Sequence, residues 1–497
     1  MDTIEPQDHA HSISEIELPA DPADLFVVLY DELPDEHFSG RQALTWYDDP
    51  DLQALTDSVC EDVIQHGRAT LTLVHGIIHE YGDAGRFAVL IGLDQAFRHA
   101  GVHPGCIPVA KLEWLSVRYN ETHSLNSNTK HTGLLLPRFT RPARLLAEPA
   151  DKPDFFGVHR VTPSQCAGIH HTGIEPDIDP GFHPEKTISI GSVPMLETHH
   201  DLKFDYSAAN GAGLYRITPK EGVLGPRIDT VIRDLENSGA VIGVLPECTL
   251  SNDLLEHWEG LLDADPPPAS SLEWILLGTG PLGCMNPPPN RAVLVDRVTG
   301  QQLLKQDKRA GFTFGVGQAA EWGLPGHPVR EPMAEDITRG QQVTVLETTM
   351  GRIAVLICED VKQNAAWIGK CQAFGVSHIF VPLFAAPISW ELKKWERIAA
   401  EHCVDELGAW VVLANSLAVG EALDLEPRIK QEDFFNCLVI GPRIPRPKGY
   451  GKHPAQFCRS DSGTELARVI CDENGDKPAV EVGTPPPLPS IQCGRGD

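Results

Sequence analysis

Gly351-Arg352-Ile353-Ala354-Val355-Leu356-Ile357-Cys358-Glu359-Asp360 runs from a turn glycine through an unbroken apolar segment to a cysteine and two carboxylates. An apolar run without polar alternation predicts a strand buried on both faces, as in layered α/β proteins. Two other segments share the design. Val241-Ile242-Gly243-Val244-Leu245-Pro246-Glu247 is an apolar run that ends in a carboxylate. Gly300-Gln301-Gln302-Leu303-Leu304-Lys305-Gln306-Asp307-Lys308 runs from a turn glycine to a lysine. Between such strands lie helical patterns. Leu224, Ile228, Val231 and Leu235 form one helix face, closed by Gly239 as a C-cap. A second helix, from about 392 to 407, precedes the strand Trp410-Val411-Val412-Leu413-Ala414-Asn415-Ser416. The alternation predicts an α/β layered fold.

A base, a cation and a thiol at the ends of core strands are the parts needed to attack a carbon–nitrogen bond. Each alone has a bland reading. A cysteine at a strand end is usually a small core residue, Glu247 alone is a loop carboxylate, and Lys308 sits in the charged run 305–309. Their joint order carries the functional reading. Cys248 follows Glu247 without strand logic of its own.

This ordered set resembles the carbon–nitrogen hydrolase (nitrilase) superfamily, whose catalytic set is Glu, Lys and Cys in that order. Thr187-Ile188-Ser189-Ile190-Gly191-Ser192-Val193 sits where the family's first strand begins. Ile275-Leu276-Leu277-Gly278 and Asn290-Arg291-Ala292-Val293-Leu294-Val295 look like the strand pair before the lysine. The steps of eight residues from Gly300 to Lys308 and seven from Gly351 to Cys358 are similar to the family's spacing. Ile379-Phe380-Val381-Pro382, the helix from Trp395 to Glu401 and the strand ending at Asn415 resemble the family's strand, helix and strand beyond the cysteine. The likeness covers roughly residues 185 to 475. It implies a four-layer αββα sandwich, built from αββ halves of two subunits; the mostly helical N-terminal extension ahead of it is read from periodicity alone. A homodimer or higher homo-oligomer is implied by kinship.

The resemblance also implies roles. Glu247 takes the proton from Cys358 and hands it to the leaving nitrogen. Lys308 and the backbone N–H of Glu359 hold the oxyanion. A thioester forms on Cys358 and is hydrolysed. Some members carry a second glutamate between lysine and cysteine, and Glu321, in Gln318-Ala319-Ala320-Glu321-Trp322-Gly323, is the local candidate. After the cysteine, Val361-Lys362-Gln363 departs from the arginine-phenylalanine-proline stretch of many amidases, which leaves the substrate class open. An amide is the first expectation and a nitrile the second. A non-catalytic binding or regulatory protein on the same scaffold, and a papain-like Cys/His enzyme, are the rivals from other classes. Trp390 and Trp395 either line a pocket or pack against the sheets.

The resemblance implies a small-molecule amide or nitrile substrate, and composition disfavours two other partner classes. The chain of 497 residues has a formal charge of −28, which disfavours nucleic acid. The basic stripe from Arg443 to Lys452 reads as a solvated loop rich in Pro and Gly. No apolar run is long enough for a membrane span, and the acidic start lacks the pattern of a signal peptide. Twelve scattered cysteines without a Cys-x-x-Cys pair fit reduced thiols. A cytoplasmic enzyme is expected. Neither a metal nor another cofactor is expected, since His170-His171 and His199-His200 are adjacent pairs that diverge on a strand.

Five regions are predicted. Residues 1–24 read as an acidic disordered tail; the first fifty residues hold thirteen acidic groups against Arg41 alone. Residues 25–120 read as a helical extension, from Leu52, Leu55, Val59 and Val63, then Leu71, Val74, Ile78 and Tyr81, then Phe87, Leu90, Ile91 and Phe97. Residues 121–183 read as a proline-punctuated connection, 184–480 as the hydrolase domain, and 481–497 as a loose tail.

Overall fold

The computed structural model describes residues 18–102, 134–138, 151–174, 178–179, 188–209, 212–322, 332–363, 367–389, 395–419, 434–441, 456–458 and 467–469. Of the expected tail 1–24, residues 1–17 lie outside them, as do 481–497, Trp390 and the stripe from Arg443 to Lys452; residues 18–24 are described, and the first helix begins among them at Pro22. The chain divides into two units, one of residues 1–137 and 149–162, the other of 138–148 and 163–497.

In the first unit, the periodic apolar residues form helices whose ends are set by local chemistry. Asp21 accepts the N–H groups of Ala23 and Asp24, and Pro22 opens the helix Pro22–Glu32. Asp49 and Pro50 repeat the device for Pro50–His66, which stops at Gly67 with φ 68°. Leu71–Val102 is interrupted at Gly82, whose φ of 59° is not helical. Phe26, Phe87, Phe155 and Phe156 fill the core, with ring centroids of Phe26 and Phe156 5.3 Å apart in an edge-on arrangement. The stretch 121–183, read from its prolines as a connection, holds short strands among its described residues. Leu134–Pro137 pairs with Val158–Val161 in this unit.

The second unit is mixed α/β with several sheets. One sheet has the strand order Gln302–Asp307, Asn290–Asp296, Trp274–Pro281, Ile242–Val244, Ile190–Ser192, Ala467–Val469. Another runs Gln456–Cys458, Cys437–Ile440, Trp410–Asn415, His378–Leu383, Gly351–Val355, Val343–Thr348, Ile169–Gly173. Its last strand also comes from the stretch 121–183. The central strands Ile242–Val244, Gly351–Val355 and His378–Leu383 are buried throughout, which is why their sequences are apolar without alternation. Parallel pairing of Ile242 with Ile190 and with Trp274 fixes the register of the first sheet. The two sheets meet where Thr344 N–H donates to Gln306 Oε1 at 2.7 Å. The helix Glu221–Asn237 buries Leu224, Ile228, Val231 and Leu235, and Gly239 lies past its end with φ 75°.

One glycine is dictated by close approach. Gly278 has φ 81°, and a Cβ there would stand 2.0 Å from Thr249 Oγ1 and 2.3 Å from Pro246 O. Its absence lets the strand Trp274–Pro281 bulge against the turn that carries Glu247. No helix among the described residues is long and apolar enough to cross a membrane.

Candidate active site

Three strand ends deliver three side chains to one place. Glu247 lies just beyond Ile242–Val244, Lys308 ends the run of Gln302–Asp307, and Cys358 comes after Gly351–Val355. Lys308 Nζ donates to Glu247 Oε1 at 2.7 Å, and the charges of both groups act on the Cys358 thiol. All three are buried. Backbone bonds fix their roots: Cys358 N–H donates to Pro382 O at 3.0 Å, Glu247 N–H to Leu383 O at 3.2 Å, and Lys308 N–H to Asn290 O at 2.8 Å.

Cys358 stands at a sharp strand-to-helix turn with φ 49° and ψ −105°. A non-glycine residue there is strained, and such strain persists only when the surroundings over-determine it. The next residue, Glu359, begins the helix Glu359–Lys362, so its N–H is not used by the helix itself. The Glu359 carboxylate instead receives Gln363 Nε2 at 3.1 Å.

The electrostatics are those of a buried cation between carboxylates. Burial would lower the Lys308 pKa, but Glu247 and then Glu335 outweigh it and hold the ammonium well above its ordinary range. Burial raises Glu247, Lys308 opposes, and Glu335 adds to the rise. Burial also pushes the Cys358 thiol well up, reinforced by the negative charge of Glu247 and opposed by Lys308. Burial and the Glu247 charge thus both favour the thiol over the thiolate at Cys358, and the Lys308 ammonium opposes them.

Cys358 opens on a cavity of about 490 Å³ whose walls include Phe312, Trp322, Phe384, Trp395 and Glu396. The volume suits a small molecule. The Trp322 and Phe384 rings meet edge-on, 6.1 Å between centroids. Asn415, at its strand end, braces the wall: its side chain donates to Ala385 O at 3.0 Å and accepts from Ala385 N–H at 3.1 Å.

No protein-family profile matches the sequence, and no curated protein does. Solved structures do match. The chain is similar to nitrilase-superfamily proteins. One is Saccharomyces cerevisiae Nit3, a member of branch 10 of that superfamily, 13% identical over 53% of this chain and 86% of that one, with a TM-score of 0.32. Another is XC1258 from Xanthomonas campestris, a CN-hydrolase superfamily protein, 14% identical over 52% and 83% of the two chains, TM-score 0.30. A third is a glutamine-dependent NAD(+) synthetase from Cytophaga hutchinsonii, 14% identical over 52% of this chain, TM-score 0.31, where the match spans only 39% of the synthetase.

The place beside Lys308 that sequence reasoning assigned to Glu321 is taken by Glu335. Lys308 Nζ donates to Glu335 Oε2 at 2.7 Å. Glu321 ends the short helix Gln318–Glu321, whereas Glu335 ends the strand Met333–Glu335, which pairs in parallel with Ala212–Pro219. Phe312 N–H donates to the same Oε2 at 3.0 Å and holds the carboxylate in position. Three apolar-polar residues are too few to show a strand period, so nothing in the sequence separated Glu335 from a loop carboxylate. Asn290, quoted only as a strand start, has a part that sequence reasoning missed. Its Nδ2 donates to Glu247 Oε1 at 2.9 Å and to Glu335 Oε1 at 3.1 Å. Phe384 N–H donates to Glu247 Oε2 at 3.1 Å.

Proposed function

We propose that this chain is a carbon–nitrogen hydrolase of the nitrilase superfamily, cleaving an amide other than a peptide bond through a thioester on Cys358. The observation that carries the reading is the 2.7 Å bond from Lys308 Nζ to Glu247 in a buried site where both charges act on the Cys358 thiol. A thiol, a base and a cation sharing one buried site meet the requirements of acyl transfer.

Glu247 takes the thiol proton as Cys358 Sγ attacks the amide carbon in the cavity, and the carbonyl oxygen becomes an oxyanion. Lys308 and the N–H of Glu359 stabilise that charge, and the high Lys308 pKa keeps the ammonium protonated throughout. Collapse of the adduct expels ammonia or an amine, protonated by Glu247, and leaves the thioester. Glu247, again a carboxylate, removes a proton from water as it attacks the thioester, and the acid leaves with the thiol restored. Glu335 and Asn290 hold Lys308 and Glu247 in register. No cofactor enters these steps.

The hydrolase domain in this reading spans 184–480, joined in its second sheet by Ile169–Gly173. The αββ half-sandwich, pairing of two subunits into four layers and a cytoplasmic setting belong to the same proposal. The test is ammonia release from a broad panel of amides and nitriles by the wild type and by Cys358→Ala, with Glu247→Gln used to trap the acyl adduct for mass measurement. An adduct on the peptide carrying Cys358 is expected. Release of ammonia by Cys358→Ala at the wild-type rate would refute the cysteine route. No turnover and no adduct would favour a non-catalytic scaffold.

A further inference from the structure

The geometry points to Asp360 as the positioning residue that locks the Cys358 turn to the Lys308 segment. Its carboxylate collects backbone N–H groups from two distant parts of the chain. Oδ1 accepts from Ala310 at 2.7 Å and from Arg309 at 3.0 Å, while Oδ2 accepts from Ile357 at 3.2 Å. Arg309 and Ala310 are the two residues after Lys308, and Ile357 is the residue before Cys358. One side chain therefore ties the root of the oxyanion partner to the root of the nucleophile.

The clamp is anchored on its own side as well. Asp360 O accepts Trp367 Nε1 at 2.7 Å, and Asp360 N–H donates to Ile357 O at 3.0 Å. Ile357 and Cys358 are thus held on both sides of the peptide, by Asp360 and by Pro382 O. That over-determination is what a φ of 49° at Cys358 requires. The residue is 2% exposed, so the carboxylate sits where an ion is costly. Burial pushes it up to about 6, against the pull of the Ala310 N–H, Lys308 and the other two N–H groups. A group chosen for packing alone would be apolar here.

The inference rests on the hydrolase reading for its catalytic meaning, but the clamp itself is tested without turnover. In the full chain, Asp360→Asn keeps one carbonyl oxygen and sets an NH₂ against a backbone donor; Asp360→Ala removes the clamp. Iodoacetamide labelling of Cys358, followed by peptide mass mapping, reads the placement of the sulfur. Labelling by wild type, Asn and Ala variants is expected to change in rank order. On whichever amide the enzyme turns over, kcat is expected to fall by up to about 10²-fold with KM within about twofold, as for a misplaced reacting group. A folded Asp360→Ala with wild-type labelling and kcat would overturn the clamp. Amide hydrogen exchange in the wild type decides the matter if neither variant folds. Joint protection of Arg309, Ala310 and Ile357 supports the clamp, and fast exchange at any of the three refutes it. Should the amide panel show no turnover, labelling and exchange still decide the clamp, while only the hydrolase reading falls.

Discussion

Lys308 Nζ stands 2.7 Å from Glu335 Oε2, the same separation it keeps from Glu247 Oε1. One buried cation thus serves two carboxylates, and Asn290 bridges them, sharing Glu247 Oε1 with Lys308 and taking the other oxygen, Oε1, of Glu335. In the proposed mechanism Glu247 is the base toward Cys358, and Glu335 holds the lysine still.

Glu335→Gln keeps the shape of that support and removes its charge. A hydrogen bond to a charged group contributes about 1.5–3 kcal/mol, so kcat is expected to fall roughly 10- to 100-fold. Steady-state kinetics on an active amide checks this. A variant with unchanged kcat would show that Glu247 alone suffices to place Lys308.

The acid limb of the pH profile is set by Glu247. Burial raises its pKa, Lys308 opposes and Glu335 adds, leaving it above the ordinary 4.5. The base works ionised, so activity is present above the raised pKa and lost as pH falls through it. The limb of kcat/KM is expected above 4.5, and Glu335→Gln should move it downward because one raising charge is gone. An unmoved or upward-moved limb would count against Glu247 as the group observed.

Glu347 makes a separate prediction about stability. Its carboxylate receives Arg352 Nη2 at 3.0 Å and lies 2.8 Å from His171 Nε2. Burial would raise its pKa, but Arg352 and His171 bring it down to about 2 from 4.5. A depressed carboxyl stabilises the fold above its unfolded pKa, and the contribution fades as pH drops from 4.5 toward 2. The side chain is 30% exposed, so water screens part of the gain. Glu347→Gln is expected to lower stability by roughly 2 kcal/mol at neutral pH. Urea unfolding at several pH values should show the gap between the two proteins narrowing in acid. A gap independent of pH would refute the linkage.

Gly278→Ala should be among the most damaging small substitutions in the second unit. The new methyl would meet Thr249 Oγ1 and Pro246 O at a φ of 81°. A cost of at least about 3 kcal/mol is expected from the backbone conformation and the displacement of the Glu247 turn together. Thermal unfolding reads the first part, and loss of activity at temperatures where the fold persists reads the second.

The strand ends before Glu247 and Cys358 were legible because burial on both faces leaves a plain mark, an apolar run that stops where the strand stops. Lys308 follows a mostly polar, partly exposed strand and was read from its distance to the turn glycine Gly300 and its place in the ordered set. Glu335 was not legible, since its strand spans only Met333–Glu335 and owes its place to pairing with Ala212–Pro219, more than a hundred residues earlier. Asn290 was visible as a strand start but not as a bridge, because the carboxylates it joins are distant in sequence. Ile169–Gly173 was hidden among prolines; it joins the second sheet by parallel pairing with Val343–Thr348, a long-range contact that no local pattern signals. The helical repeats between 52 and 97 were read from their spacing, and the structure breaks them at Gly82.

The φ of 49° at Cys358 sets persistence against chemistry at a single position. Glycine rests in that conformation without penalty. Cys358→Gly would therefore relieve the backbone strain at that position while, in the proposed mechanism, abolishing the nucleophile. The backbone conformation by itself would favour the smaller residue at 358, and the proposed use of the sulfur would account for tolerating the tension.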